Sequence, residues 1–135
     1  IQMGVPRTGS FTRDLFQISS MLDRFSTTGR PVFVTAVTVP DRPDPDPNDK
    51  SDGKLNPAAA GRWHRPWDPN LQAEWIDAVY RLMLSKPYIE SIAWGDLADI
   101  NPSIPGGGLL DDMLKPKPSF KKIQEMREQF HRLKK

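Results

Sequence analysis

Asp96 and Asp99 stand three residues apart just beyond an apolar run that ends in Trp94-Gly95, and three consecutive glycines, Gly106, Gly107 and Gly108, follow them. A carboxylate pair can supply a general acid and a general base, but two aspartates at this spacing more often hold loop amides or an arginine. The glycines carry no GxxxxGK[ST] pattern and the helix after them begins late, so a tight turn explains them better than a phosphate cradle. Trp63, His64 and Trp67 form a second cluster, whose rings either line a cleft or pin a loop. Asp44-Pro45-Asp46-Pro47-Asn48 resembles the opening of a calcium loop, yet Asp49 and Leu55 stand where such a loop needs glycine and glutamate. His64 and His131 are the only histidines and there is no cysteine, which leaves almost no material for a Ser-His-Asp triad, a thiolate nucleophile or a zinc site. No metal and no cofactor is expected.

The elements that must position these residues can be read from periodicity. Leu15, Ile18, Met21, Leu22 and Phe25 recur at helical steps, with Ser10 or Thr12 as the expected cap and Gly29-Arg30-Pro31 as the stop. Residues 32–39 form a β-branched run without charge between two prolines, which predicts a parallel strand buried on both faces. Asp68 and Pro69 open a helix with Leu71, Trp75, Ile76, Val79, Tyr80, Leu82 and Met83 on one broad face, and Lys86-Pro87 closes it. Residues 89–94 form a further strand, and Phe120, Ile123, Met126, Phe130 and Leu133 mark the face of a last helix. Residues 1–5 read as the tail of a strand and not as a targeting segment. Strands that alternate with helices make an α/β fold with a parallel sheet. Residues 41–67, rich in Pro, Asp, Asn and Gly, are then one long loop.

Composition sets the outer limits. A chain of 135 residues with 37% hydrophobic and 27% charged residues suits one modest globular domain, and no apolar run approaches the ~18 residues of a membrane span. Nine of the 21 residues from position 115 onward are Lys, Arg or His, and they account for most of the net charge of +2. A basic helix of this kind reads as a solvated face, so neither nucleic acid nor a membrane is expected as a partner.

With these elements in order, the sequence resembles the C-terminal third of glycoside hydrolase family 10, the xylanase-type (β/α)8 barrels. Ile1-Gln2 is similar to the end of strand six, Gly29-Arg30-Pro31-Val32 to the entry of strand seven, Gln72-Ala73-Glu74 to helix seven and Ala93-Trp94-Gly95 to strand eight. Pro105-Gly106-Gly107-Gly108-Leu109-Leu110-Asp111 with Lys115-Pro116-Lys117-Pro118 carries the most specific part of the likeness. The resemblance implies that residues 1–135 are strands six to eight, with their helices, of a barrel that normally needs ~250 residues. It also implies a secreted or periplasmic location.

Family members cleave with two carboxylates roughly 5 Å apart. The resemblance places the acid/base on a strand outside this chain, and the nucleophile in a Thr-Glu-Leu-Asp pattern that here reads Thr35-Ala36-Val37-Thr38. Ala36 therefore occupies the nucleophile position, and a methyl group can neither attack an anomeric carbon nor stabilise a developing cation. Phe33 replaces a family histidine, Thr38 an aspartate, and Gly4 another sugar-contacting histidine, while Ile104 stands for a loop tryptophan. Trp94 matches the family tryptophan that lies against the sugar, Asp99 matches an aspartate just past strand eight, and Gln2 is a candidate hydrogen-bonding partner of the sugar. An indole can bind the C–H face of a sugar by area burial and dispersion without any catalytic group.

The expectation is thus a catalytically incomplete barrel segment that holds an oligo- or polysaccharide of xylan type, with the N-terminal part of the barrel as its other partner. Trp94, Asp99, Gln2, Trp63, His64 and Trp67 are the candidate sugar contacts. A divergent active hydrolase with relocated carboxylates, and a small α/β interaction module using its basic helix, are the alternatives.

Overall fold

The structure is a computed structural model that describes residues 2–4, 14–42 and 63–133. Its elements run β1 (Gln2–Gly4), α1 (Leu15–Ser26), β2 (Val32–Thr38), α2 (Pro69–Leu84), β3 (Ile89–Trp94) and α3 (Pro118–Leu133). The sheet is wholly parallel in the order β1-β2-β3, so each strand lies beside its neighbour in sequence and each crossover carries a helix. The two crossovers carry α1 and α2, and α3, which follows β3, packs against α2.

Local chemistry explains the helix ends. Asp14, and not Ser10 or Thr12, caps α1, its carboxylate accepting the Gln17 amide at 2.7 Å; the two residues first expected there lie outside the described residues. Asp68 caps α2 by accepting from the amides of Asn70 and Leu71, with Pro69 in the first turn where its missing N–H costs nothing. Helix α2 is the centre of the core: Leu71, Trp75, Ile76, Val79 and Met83 are fully buried, and it packs against α1, α3 and β3. Ile18 and Leu22 from α1, Met126 from α3 and Val34, Val37 and Val39 from the central strand region complete the cluster.

The central strand departs from the expectation of burial on both faces. Val32, Val34 and Val37 are buried, but Phe33 is 53% exposed and Thr35 is exposed, as are Ser91 and Ala93 on β3. Helices cover one side only; the side chains that fill the inside of a closed barrel would have to come from other strands. The uncharged character of β2 has a second source in its position, since it is the middle strand and presents no free edge.

Two register shifts shape the pairing of β2 with β3. Between Val32 and Phe33 the partner advances from Ile89 to Ser91, leaving Glu90 as an extra residue on β3. Between Val34 and Val37 the partner advances only from Ile92 to Trp94, so Thr35 and Ala36 face the single residue Ala93. That second shift is a β-bulge, a device that bends a strand and re-aims its side chains beside functional sites.

At the opposite end of the sheet Asp23 of α1 accepts from the Lys86 ammonium at 2.6 Å and from the Tyr88 hydroxyl, tying α1 to the entry of β3. Lys86, then Tyr88, hold the Asp23 carboxyl below its usual value of 3.8. Partial burial of the ring, followed by the Asp23 carboxylate, pushes the Tyr88 phenol up from 10.0 to about 12. A depressed carboxyl stabilises the fold above its unfolded value and loses that contribution as pH falls through the folded one; a raised phenol contributes below its unfolded value and loses it as pH rises through about 12. Asp23→Asn is therefore expected to flatten the loss of stability below pH 3.8 in urea titrations, and to lower the Tyr88 absorbance midpoint while leaving it above 10.0. An unchanged acid limb together with an unchanged phenol titration would contradict the assignment.

Candidate functional site

The C-terminal ends of β2 and β3, with the chain segments that leave them, hold nearly all the polar groups of interest. Register puts three of the candidate positions at one level of the sheet: Gln2 pairs with Ala36, and Val37, the next residue, pairs with Trp94. Ala36 lies in the bulge, between the two edge strands. Trp94 is half-buried, and its indole N–H donates to the Gly107 carbonyl at 2.7 Å, which fixes the plane of the ring.

Around this row sits a buried ionic cluster that sequence reasoning missed. Lys117, only 7% exposed, directs its ammonium to Asp41 Oδ2 at 2.8 Å, Asp99 Oδ2 at 3.0 Å and the Gly106 carbonyl at 2.9 Å. An ammonium has three N–H donors and no acceptor, and here each donor has its own oxygen. Arg42 adds a second positive charge, with Nε 2.8 Å from Asp41 Oδ1 and a terminal nitrogen 3.9 Å from Asp99 Oδ2. Among the described residues two cations and two carboxylates thus meet, with Lys117 and Asp41 buried, the Asp99 side chain only 9% exposed and Arg42 at the solvent edge, an arrangement in which charges can be buried at tolerable cost. The signal was present in the sequence, as an aspartate directly after an apolar strand and a lysine between two prolines, but nothing in one dimension said that they meet.

The three glycines are explained by crowding against this cluster. Gly106 has a left-handed φ of +69°, and a methyl group there would lie 1.9 Å from Asp41 Oδ1. A methyl at Gly107 would meet the Ile104 carbonyl at 2.8 Å and Thr38 Oγ1 at 2.9 Å, and one at Gly108 the Ala98 backbone at 2.5 Å. Backbone polar groups of all three are gripped: Gln72 Nε2, which also donates to the Val39 carbonyl, donates to the Gly106 carbonyl at 2.9 Å, the Gly107 amide donates to the Ile104 carbonyl at 2.8 Å, and the Gly108 amide donates to Asp99 Oδ1 at 2.7 Å. The turn reading of the glycines thus gains a cause, which is close packing of backbone on side chains.

Asp99 is accordingly committed to Lys117 and Gly108, and Asp96 accepts from the Ser103 amide at 2.9 Å and its hydroxyl at 3.1 Å. The two aspartates hold loop groups and do not form a replacement carboxylate pair. Trp67 is 2% exposed and belongs to the core, so it offers no ring face to a ligand; it pins the end of the long loop. Arg65 assists with paired contacts of 3.1 and 2.9 Å to Glu74 and one of 3.1 Å to Asp68. Trp63 packs on the core and His64, exposed at a φ of +69°, lies with its ring centroid 4.4 Å from that of Trp63. Ile104 is buried at 1% and Thr38 at 2%, the Thr38 hydroxyl having no hydrogen-bond partner among the described residues. Residues 44–49, the calcium-like stretch, lie outside the described residues, as does the Gln2 side chain. Among the described residues no group of three acidic or histidine side chains is gathered as a metal ligand set.

No protein-family profile matches this sequence, and no curated protein matches it. Solved structures do. The β-glucuronidase of Bifidobacterium dentium, determined with coumarin-3-O-glucuronide, superposes with a TM-score of 0.58 at 13% identity over 82% of this chain and 17% of that one. The β-glucuronidase of Faecalibacterium prausnitzii does so with a TM-score of 0.58 at 14% identity over 84% of this chain and 18% of that one. The fold of this chain is similar to a part of each of these two structures. The three-stranded parallel sheet with its helices is consistent with part of a TIM barrel, and the chain spans less than a fifth of the length of these two enzymes. Neither is a xylanase; at these identities the likeness concerns the fold alone.

Gly106→Ala tests the packing of the glycine turn. Left-handed backbone strain and displacement of Asp41 from its paired cations together predict a loss of at least about 2 kcal/mol in the unfolding free energy obtained from urea titration. A variant as stable as the parent would show that Asp41 does not rest against Gly106.

Proposed function

We propose that this chain is the C-terminal segment of a family 10-like, xylanase-type barrel that binds a saccharide without cleaving it. The row of Gln2, Ala36 and Trp94 at the C-terminal end of the sheet carries this reading, because barrel folds assemble their ligand chemistry at that end. Its central position ends in a methyl group. Retaining hydrolysis needs two carboxylates roughly 5 Å apart with the bond between them. Asp96 and Asp99 are occupied by loop amides, a hydroxyl and Lys117, which argues against a relocated pair within the described part of the chain.

Trp94 is what remains for binding: a half-buried indole whose N–H is held by the Gly107 carbonyl, paired in register with Val37 and packed in part against the core. Sugar rings stack on such surfaces through their C–H faces. The exposed face of the sheet, with Phe33, Thr35, Ser91 and Ala93, would be the inside of the barrel, closed by the strands that precede this segment. An interaction module using the basic helix finds less support, because Lys122 pairs with Glu125, Arg132 with Glu128 and Arg81 of α2 with Gln129, as in an ordinary solvated helix face.

The test is a titration of the full chain with xylo-oligosaccharides, followed by tryptophan fluorescence, beside an assay for released reducing ends. Saturable change in the parent, weakened about ten-fold or more in Trp94→Ala, is expected, with no release of reducing ends. Equal binding by Trp94→Ala, or measurable hydrolysis, would overturn the proposal.

A further inference from the structure

We infer that Lys117 is a positioning residue for Trp94, a role that rests on the sugar-platform reading and extends it to a side chain that touches no ligand. The connection runs through two successive peptide groups. The Lys117 ammonium and the Gln72 amide both donate to the Gly106 carbonyl, each at 2.9 Å, and the carbonyl of the next residue, Gly107, accepts the Trp94 indole N–H at 2.7 Å. Asp99, itself paired with Lys117 at 3.0 Å, takes the Gly108 amide at 2.7 Å. A glycine run has the widest backbone freedom of any sequence, so the direction of the Gly107 carbonyl is set by these grips together with the bond from the Gly107 amide to the Ile104 carbonyl at 2.8 Å. With them, the acceptor that sets the plane of the indole is anchored to a buried cation, which is in turn held by Asp41 at the end of β2. The ring on β3 is thereby referenced to β2 and to α3 at once.

Neutralising Lys117 leaves two carboxylates with Arg42 as their remaining cation among the described residues, so Lys117→Met is compared with the charge-neutral pair Lys117→Met/Asp99→Asn. In the latter the asparagine carbonyl can still accept from Gly108. The readout is hydrogen exchange of the tryptophan indole N–H groups by NMR, with the Trp94 signal assigned from Trp94→Phe and the fully buried Trp75 as internal reference. The double variant is expected to lose about ten-fold or more in protection at Trp94 with Trp75 unchanged, the size of effect expected when one hydrogen bond loses its alignment. Lys117→Arg, which keeps the charge, is expected to restore part of it. Oligosaccharide affinity should fall by a similar factor while Trp94 itself is untouched. Unchanged protection at Trp94, or equal loss at Trp94 and Trp75, would overturn the inference, the second because it marks a general loosening of the fold. If the parent binds no oligosaccharide the functional proposal fails, but the exchange comparison still decides whether Lys117 orients the ring.

Discussion

Lys117 carries an ammonium group into a place that water scarcely reaches, and the upper end of the molecule is arranged around making that tolerable. Burying one charge in isolation would be prohibitive, and removing one partner of a buried pair typically costs about 3–5 kcal/mol. The protein meets the requirement with two carboxylates from different segments, Asp41 after β2 and Asp99 after β3, and with the Gly106 carbonyl. Because the three oxygens come from three separate stretches of chain and the lysine from the entry to α3, one cation fixes the relative positions of two strand ends, a loop and a helix. The glycines follow from it, since Asp41, Thr38 and the Ala98 backbone fill the space that side chains would need.

The lower end is built differently. Asp23 is exposed and meets the largely covered Lys86 and the half-buried Tyr88 at the surface, where their pairing joins α1 to the start of β3. Between the two ends the core depends on α2, whose apolar side chains separate α1 from α3 and cover the central strand. The sheet therefore has one dry face and one open face. Its open face carries Phe33, Thr35, Ser91 and Ala93 and is interrupted by the bulge at Thr35 and Ala36.

Much of this was legible in one dimension. The apolar period of residues 71–83 placed α2, the Asp68-Pro69 pair placed its start, and residues 89–94 were read as a strand with the observed bounds. Asp14 was passed over as a cap because Ser10 and Thr12 are equally good capping types; only the backbone geometry selects among neighbouring candidates. The reading of β2 as doubly buried came from its composition, which cannot distinguish burial by helices from burial by strands that other residues must supply. Trp67 looked like a partner of Trp63 and His64 from proximity alone, whereas the turn at His64 sends the neighbouring tryptophans into different surroundings.

The sequence by itself determined the alternation of strand and helix, the apolar faces and the presence of a methyl group at position 36, because periodicity and residue identity are local properties. Only the tertiary structure decided that Lys117, Asp41, Gln72 and the three glycines act together, that Asp96 and Asp99 diverge, and that Gln2, Ala36 and Trp94 fall in one row. Those relations join residues up to 92 positions apart, and no pattern of spacing encodes them. They are set by strand register and by the need of each buried polar group to find a partner, and both are settled only when the chain has closed on itself.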